Sequence, residues 1–387
     1  MQRVMLFVIV VLVVGVLGGC SSESPQVPAN QDDGGYIRKA ESDNLTFKWH
    51  DASDGVETCG IRTGWAYINK YTNAAELVTN THDNSEIHIF YENSNTWSSG
   101  GTIDVGADVE DDANYDILGD WVYVFGVTGF RSTTANDHTP SRMLVTFGDV
   151  ENASRAYVAV YKGLNSATRW DYWGTWDLEA EANYDPNYID LDIAPDGEYI
   201  VVATLDGSNY RARIWNSSPG GNSVANFVGS HVATITPLST LDYYGGGVCV
   251  EMGAYNHNAT DHNFVYSVPG NCTIYSYRQD NATTWTYVAS KTVSAPAMVI
   301  CNENYHDHLL FWDEQDYTGV YLQLGSGATF GSELDTFGAW GNKSASGGVN
   351  GIGWITGDVS EPTSGTYYIE AGIQSAYDAY VEIFGNY

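Results

Sequence analysis

Short β-rich runs recur along this chain about every 50 to 60 residues, and they constrain its fold more than any other feature. The clearest unit spans residues 188–215 and contains three apolar runs separated by turns at Asp196-Gly197 and Asp206-Gly207. Asp-Gly turns admit the positive φ that tight hairpins require. Apolar and polar residues alternate along Ile189–Ile193, which is typical of a strand with one face directed at a core. No sustained helical period follows residue 40, so the sequence predicts an all-β chain.

Weaker copies of this unit extend the pattern to six units in all. The first strands are predicted at 56–61, 115–118, 189–193, 248–252, 298–301 and 349–355. The second strands are predicted at 65–68, 121–125, 199–203, 264–268, 309–312 and 367–371. An insertion is predicted at 128–152, where the spacing between units is longest.

The turns of the clearest unit and its closing Ile214-Trp215 make it similar to a blade of the WD40/YVTN-like β-propeller superfamily. The unit departs from WD40 repeats, because no Gly-His precedes its first strand and Asn216 follows the tryptophan where WD40 has aspartate. The resemblance implies a single β-propeller of six blades over residues 41–387. A seventh blade within 128–160 stays open, and a pair of β-sandwiches is the alternative architecture.

The two ends of the predicted domain indicate how such a ring would close. The last unit stops after a third strand at 379–384, three residues before the end of the sequence. The segment 45–49 (LTFKW) has the composition of a strand and could supply the fourth. Pairing of these segments would join the first and last blades and remove two exposed edges, so we expect an N-terminal strand in the C-terminal blade.

The N-terminus has the features of a targeting signal. Arg3 precedes an apolar run, 4–17, that is too short to span a bilayer core of about 30 Å at about 1.5 Å per residue. This pattern is typical of a signal peptide. The run ends in Leu17-Gly18-Gly19-Cys20, which resembles the lipobox of prokaryotic lipoproteins. The resemblance implies cleavage before Cys20 and lipid attachment to that residue; an ordinary secretory signal with an incidental cysteine is the alternative.

Three segments follow from these patterns: a lipoprotein signal peptide at 1–19, a flexible tether at 20–40 and the propeller domain at 41–387. The tether is predicted because residues 21–35 are rich in Ser, Pro, Asp and Gly and lack an apolar period. The mature protein is therefore expected outside the cytoplasm, held at the cell membrane by its lipidated N-terminus.

Apart from Cys20, the cysteines are even in number, as expected in an oxidising compartment. They are Cys59, Cys249, Cys272 and Cys301. Two disulfides with three connectivities, or four buried free thiols, both fit this count. No Cys-x-x-Cys occurs, so a thiol redox pair and a zinc ribbon lack support.

The charge of the chain excludes one class of partner. Forty-eight acidic residues against 16 basic ones give a formal net charge of -32. Such a chain repels phosphate backbones, so the sequence predicts no nucleic-acid binding. Net charge of this size is explained by solubility, or by a surface that binds cations.

Two segments between an outer strand and the next first strand concentrate carboxylates, which we expect on the rim of one face. Their acidic residues are Asp108, Glu110, Asp111, Asp112, Asp116, Glu179, Glu181 and Asp185. Ca²⁺ takes six to eight such oxygen ligands, but neither segment has EF-hand spacing. The sequence predicts no cofactor; it leaves a Ca²⁺-binding rim and a merely solvated acidic rim as alternatives.

Histidines give a weak metal motif and no catalytic signature accompanies it. His306 and His308 would share one face of a strand, a geometry that suits a transition metal, although spacing fixes no third ligand. The sequence favours a binding or scaffold module for a protein or carbohydrate ligand. The alternatives are a sialidase-like glycoside hydrolase or lyase using carboxylates at the channel mouth, and a structural cell-envelope protein; the Asp-box that sialidase-type propellers repeat is incomplete at 278–285 (RQDNATTW).

Overall fold

The chain is mostly β, and its strands form antiparallel sheets. The computed structural model describes residues 37–38, 46–51, 61–81, 85–93, 96–112, 117, 122–132, 134–149, 156–178, 189–194, 196–206, 209–235, 249–254, 263–268, 273–292, 297–302, 308–313, 318–325, 329–338, 349–356, 367–374 and 379–385. Two short helices, α1 (Val105–Glu110) and α2 (Val224–Phe227), lie among these residues. No helix of this part of the chain is long and apolar enough to cross a membrane.

The strands, in chain order, are β1 (Ile37–Arg38), β2 (Thr46–Asp51), β3 (Ile61–Asn69), β4 (Ala74–Thr81), β5 (Glu86–Asn93), β6 (Thr96–Asp104), β7 (Val122–Phe130), β8 (Arg142–Asp149), β9 (Ala156–Gly163), β10 (Trp170–Asp177), β11 (Ile189–Ile193), β12 (Tyr199–Asp206), β13 (Asn209–Ser217), β14 (Val228–Ile235), β15 (Cys249–Ala254), β16 (Asn263–Val268), β17 (Thr273–Asn281), β18 (Thr284–Thr292), β19 (Ala297–Asn302), β20 (His308–Asp313), β21 (Thr318–Gly325), β22 (Thr329–Gly338), β23 (Val349–Thr356), β24 (Tyr367–Gln374) and β25 (Ala379–Gly385).

Within the described residues these strands form six sheets, each a meander of consecutive strands. Sheets 1 to 4 are β3–β6, β7–β10, β11–β14 and β15–β18. Sheet 5 is β19–β22 with β1 added beside β22, and sheet 6 is β23–β25 with β2 added beside β25. The first strands contact one another in order: β3 with β7, β7 with β11, β11 with β15, β15 with β19, β19 with β23, and β23 with β3.

Sheet 6 combines the two ends of the described chain. β2 pairs antiparallel with β25, placing Phe47 opposite Phe384 and Asp51 opposite Val381, with a register shift between Phe47 and Trp49. The N-terminal segment therefore supplies the fourth strand of the last sheet, which is the pairing expected from the sequence.

The core lies between neighbouring sheets. On β12, Ile200 and Val202 pack toward sheet 2, while Val201 and Ala203 pack toward sheet 4. Successive side chains of a strand point to opposite faces, so both faces of this strand are buried. That is why its sequence (YIVVA) is continuously apolar where a half-buried strand would alternate.

The predicted strands of sheets 3, 4 and 6 are confirmed, and so are the first two strands of sheet 5. In sheets 1 and 2 the predicted first strands, 56–61 and 115–118, lie almost entirely outside the described residues, and the predicted second strands were wrong in order. Residues 65–68 lie in β3 and residues 121–125 fall largely in β7, and both of these are first strands where the sequence predicted second strands. The predicted insertion 128–152 contains β8, the true second strand of sheet 2, which a long polar loop separates from β7. That loop stretched the spacing and concealed the hairpin.

Candidate functional site

A buried carboxylate, Glu76 on β4, organises the seam between sheets 1 and 2. Its side chain is fully buried and accepts three hydrogen bonds. Tyr67 Oη donates to Oε2 (2.6 Å), while Asn69 Nδ2 (3.1 Å) and Arg169 Nε (2.7 Å) donate to Oε1. A buried charge is tolerated only when it is paired and hydrogen-bonded in this way. We call these residues, with Trp170, the Glu76 cluster.

Arg169 enters this cluster from the loop between β9 and β10, in sheet 2. Its backbone has a φ of 61°, in the left-handed region that non-glycine residues rarely adopt. The loop holds it there, because Arg169 N donates to Ser166 O and Leu164 N donates to Arg169 O. Strained backbone of this kind is enriched at functional sites.

The side chain of Arg169 is only partly buried. Its Cζ is 5.0 Å from the centre of the Tyr91 ring, and 16% of the side chain is exposed. Nε is taken by Glu76, and Nη1 makes a long bond to Ala167 O (3.3 Å). Among the described residues Nη2 has no acceptor. The side chain therefore presents fixed, partly open donors to solvent.

Aromatic rings pack against one another beside Glu76, and two of them belong to the cluster. Trp65 stacks on Tyr67 with ring centres 4.2 Å apart, and Trp170 Nε1 donates to Tyr67 Oη (3.0 Å). Burial, and then the charge of Glu76, raises the pKa of Tyr67 well above its usual value. Tyr67 is therefore a fixed hydroxyl donor to Glu76 at all ordinary pH values.

His138, from the loop between β7 and β8, packs edge-on against Trp170 with ring centres 4.6 Å apart. Its Nδ1 lies 2.9 Å from Ser141 Oγ, and its buried Nε2 has no partner among the described residues. Burial, and then the positive charge of Arg169, lowers the pKa of His138 to about 4. The imidazole is neutral at pH 7, so it adds no charge to the cluster.

Two carboxylates on β11 bridge the first strands of three sheets. Asp192 accepts from Thr128 Oγ1 on β7 and from Met252 N on β15 (2.6 Å). Asp190 accepts from Val250 N on β15 (2.7 Å) and from its neighbour Leu191 N. Burial, opposed by these backbone donors and assisted by Asp192, raises the pKa of Asp190 to about 7. These oxygens satisfy N–H groups on the free edge of β15, which is a structural role.

Four acidic residues of the predicted rim are described, and two of them bond to sheet 2. Helix α1 begins at an Asp104 cap and contacts sheets 1 and 2. Asp108 accepts from Tyr161 Oη (3.0 Å), and burial raises the pKa of Asp108. Asp112 accepts from Tyr172 Oη (3.0 Å) and Thr175 N (3.2 Å). Glu110 and Asp111 are exposed. The structure thus uses two of these four carboxylates to attach α1 to sheet 2.

The other predicted site residues are not described. Cys20, Cys59, Cys272, Asp116, Glu179, Glu181, Asp185 and His306 lie outside the described residues. Cys249, Cys301 and His308 lie on strands, but their side chains are outside the described set. Among the described residues no three His, Cys, Asp or Glu side chains group as metal ligands.

Sequence reasoning missed the Glu76 cluster altogether. Its members come from the β3–β4 hairpin of sheet 1 and the β9–β10 hairpin of sheet 2, and Glu76 and Arg169 are 93 positions apart. One weak signal was present: Glu76 is a single carboxylate within the apolar run Ala74–Val78 (AAELV).

No protein-family model matches this sequence, and no curated protein sequence matches it. Among solved structures, AofleA from Arthrobotrys oligospora is similar over 87% of this chain and 86% of its own, with 10% identity and a TM-score of 0.51. A mutant of Aleuria aurantia lectin in complex with Fucα1-6GlcNAc matches 82% of this chain and 93% of its own, with 11% identity and a TM-score of 0.45. The likeness to AofleA shows the fold alone: a propeller-like arrangement of four-stranded antiparallel sheets.

Proposed function

We propose that this chain is a lipid-anchored, extracytoplasmic propeller of six blades that binds a carbohydrate ligand at the seam between sheets 1 and 2. Each of the six sheets is one blade in this proposal. The cycle of contacts among first strands, which runs from β3 to β23 and back to β3, supports a closed ring. The pairing of β2 with β25 supports closure within the last blade.

The lipid anchor rests on the sequence alone. The Leu17-Gly18-Gly19-Cys20 motif follows an apolar run of signal-peptide length, and the Ser- and Pro-rich segment after it provides a tether. In this arrangement Cys20 carries the lipid, and the ring faces ligands outside the cytoplasm.

The binding function rests on Arg169. Its strained backbone and its bond to buried Glu76 fix the guanidinium before any ligand arrives, which lowers the entropy lost on binding. Its Nη groups can donate to neighbouring hydroxyl oxygens of a sugar. Tyr71, 48% exposed, lies on the β3–β4 turn of the same seam, where its backbone N donates to Asn69 Oδ1 (3.0 Å). Asn69 also bonds to Glu76, which links this turn to the Arg169 pair. An exposed ring and a fixed guanidinium at one seam suit one apolar and one hydroxyl-bearing face of a sugar.

The charge of the chain favours a neutral saccharide as the ligand. Arg169 is already neutralised by Glu76, and a formal net charge of -32 repels anionic ligands at long range. Among the described carboxylates of the first strands, those of Asp190 and Asp192 accept bonds from protein donors at every oxygen. That arrangement favours binding over hydrolysis.

The experiment is saccharide binding by the full-length protein, on a glycan array followed by calorimetry of the hits. Arg169→Met is expected to weaken binding roughly 10- to 100-fold, because a hydrogen bond to a charged group contributes about 1.5–3 kcal/mol. Lys162→Met is the matched control, since this cation lies on β9 in an exposed pair with Asp171 (2.9 Å). No saccharide binding by the wild type, or equal loss in both variants at unchanged folding, would refute the proposal.

A further inference from the structure

Arg142, the first residue of β8, is a buried cation in the next seam, between sheets 2 and 3. It is 7% exposed. Among the described residues no carboxylate pairs with it. Burial lowers the pKa of its guanidinium, which nevertheless stays charged. An unpaired buried charge is costly, so its place in the fold requires a reason.

The hydrogen bonds of Arg142 leave donors on one edge of the guanidinium without an acceptor among the described residues. Nη1 donates to Thr139 O (2.8 Å) and Ser141 O (2.9 Å), and Nη2 makes a longer bond to Pro219 O (3.3 Å). Nε is buried and has no acceptor among the described residues. Of five N–H groups, Nε–H and one on Nη2 therefore remain. These two N–H groups belong to the edge that binds a carboxylate side-on through two parallel hydrogen bonds.

The two seams differ in one group: the first has a carboxylate paired with its arginine, and the described part of the second has none. Between sheets 1 and 2, Arg169 Nε donates to Glu76 at 2.7 Å, so the protein itself supplies the carboxylate. Between sheets 2 and 3, the described part of the neighbouring sheet and its connections supplies the Pro219 carbonyl and the ring of Phe227 and no carboxylate. A chain with 48 acidic residues has placed none of the described ones opposite this guanidinium.

Aromatic rings complete the surroundings of Arg142. Its Cζ lies 4.6 Å from the centre of the Trp173 ring and 5.9 Å from that of Phe227. These contacts stabilise the cation through cation–π attraction but accept no hydrogen bonds. Phe227 is fully buried, whereas Trp173 remains partly exposed. Trp173 is therefore the ring of this pair that reaches solvent.

We propose that the seam between sheets 2 and 3 binds a small carboxylate-bearing ligand, held side-on by Nε and Nη2 of Arg142 beside the ring of Trp173. This site is separate from the Arg169 seam and does not depend on saccharide binding there. Because surrounding atoms cover Nε, the proposal is restricted to a carboxylate on a small molecule.

Formate is the probe, because it is the smallest carboxylate. Thermal melting of the full-length protein is followed while sodium formate replaces sodium chloride at constant ionic strength. A ligand that binds only the native state raises the melting temperature by mass action. We expect a saturable rise for the wild type and none for Arg142→Lys, which keeps the charge but lacks the planar two-donor edge. Arg278→Lys, an exposed arginine paired with Asp280, is the control and should behave as the wild type.

A second measurement covers the case in which Arg142→Lys fails to fold. Saturation-transfer NMR of formate with the wild type should show binding, and Trp173→Leu, at a partly exposed position, should weaken it at least several-fold. Three results would overturn the proposal: no saturable effect of formate, an equal effect of chloride, or an equal response in Arg142→Lys.

Discussion

Asp190 makes the stability of the protein depend on pH, and replacing it with asparagine isolates that dependence. Its carboxyl group is partly shielded from water between β11 and β15, and its pKa is raised to about 7 from 3.8. Between these values the native state keeps a proton that the unfolded state has lost. The free energy of unfolding therefore falls as pH rises through this window and is constant, for this group, above and below it.

The pKa shift sets the size of the effect. A difference of about three pKa units at about 1.4 kcal/mol each corresponds to roughly 4 kcal/mol between pH 4 and pH 7, as an upper limit. Asparagine resembles the protonated acid but can accept only one of the bonds now made by Val250 N and Leu191 N. Losing the other costs about 1–3 kcal/mol at every pH. The Asp190→Asn variant should therefore be less stable than the wild type near pH 4 and gain on it as pH rises to 8.

The assay is urea unfolding of the wild type and Asp190→Asn at half-unit steps from pH 4.5 to 8. The difference between the two curves removes the contribution of the other carboxylates. Asp171→Asn, at a half-exposed position, is the control and should give a nearly flat difference. A flat difference for Asp190→Asn, or one of opposite slope, would show that Asp190 is ionised in the native protein at low pH and refute the reasoning.

Two further changes test the first seam. Glu76→Gln should lower the free energy of unfolding by roughly 3 kcal/mol, because it removes the buried charge that pairs with the partly buried Arg169, whereas Asp171→Asn should cost under about 1 kcal/mol in the same urea titration. Gly163→Ala should cost about 3 kcal/mol, because its new Cβ would lie 2.0 Å from His138 O. Gly220→Ala meets no atom within 4 Å and should melt as the wild type does; equal melting of the two alanine variants would contradict the packing argument.

Where local sequence and tertiary environment agree, the sequence predicted the fold closely. Residues 189–193 were predicted as a strand and form β11. This segment alternates strictly, and Asp-Gly turns bound the strands that follow it, so periodicity and turn chemistry gave the same boundaries.

The strands of sheets 1 and 2 were harder to predict because Asp-Gly turns do not mark their boundaries. β8 (RMLVTFGD) has both faces buried, with Met143 and Val145 toward sheet 1 and Leu144 toward sheet 3. A short strand buried on both sides gives no alternating signal. Its distance from β7 in sequence then led to its interpretation as an insertion.

The candidate sites were beyond sequence reasoning for a different reason. Seams are built by side chains from hairpin ends of adjacent sheets, and a single sequence gives no record of which distant residues meet. Counting carboxylates drew attention to Asp108 and Asp112, yet Tyr161 and Tyr172 use these to attach α1. The informative residues were single ones in unexpected places. Glu76 lies within an apolar strand, and Arg169 directly precedes Trp170.

The two seams share one architecture but differ in how the charge of their arginine is paired. Sheet faces are occupied by core packing, so the hairpin ends are where polar side chains of neighbouring sheets can meet without disrupting the strands. In the first seam a carboxylate of sheet 1 neutralises the arginine of sheet 2, leaving donors suited to neutral oxygens. In the second, the described partners of Arg142 of sheet 2 are carbonyls and rings, which leave its positive charge unpaired. Introducing a carboxylate opposite Arg142 would therefore convert the second seam to the electrostatics of the first, since the pairing of charge across the seam decides which ligands it can accept.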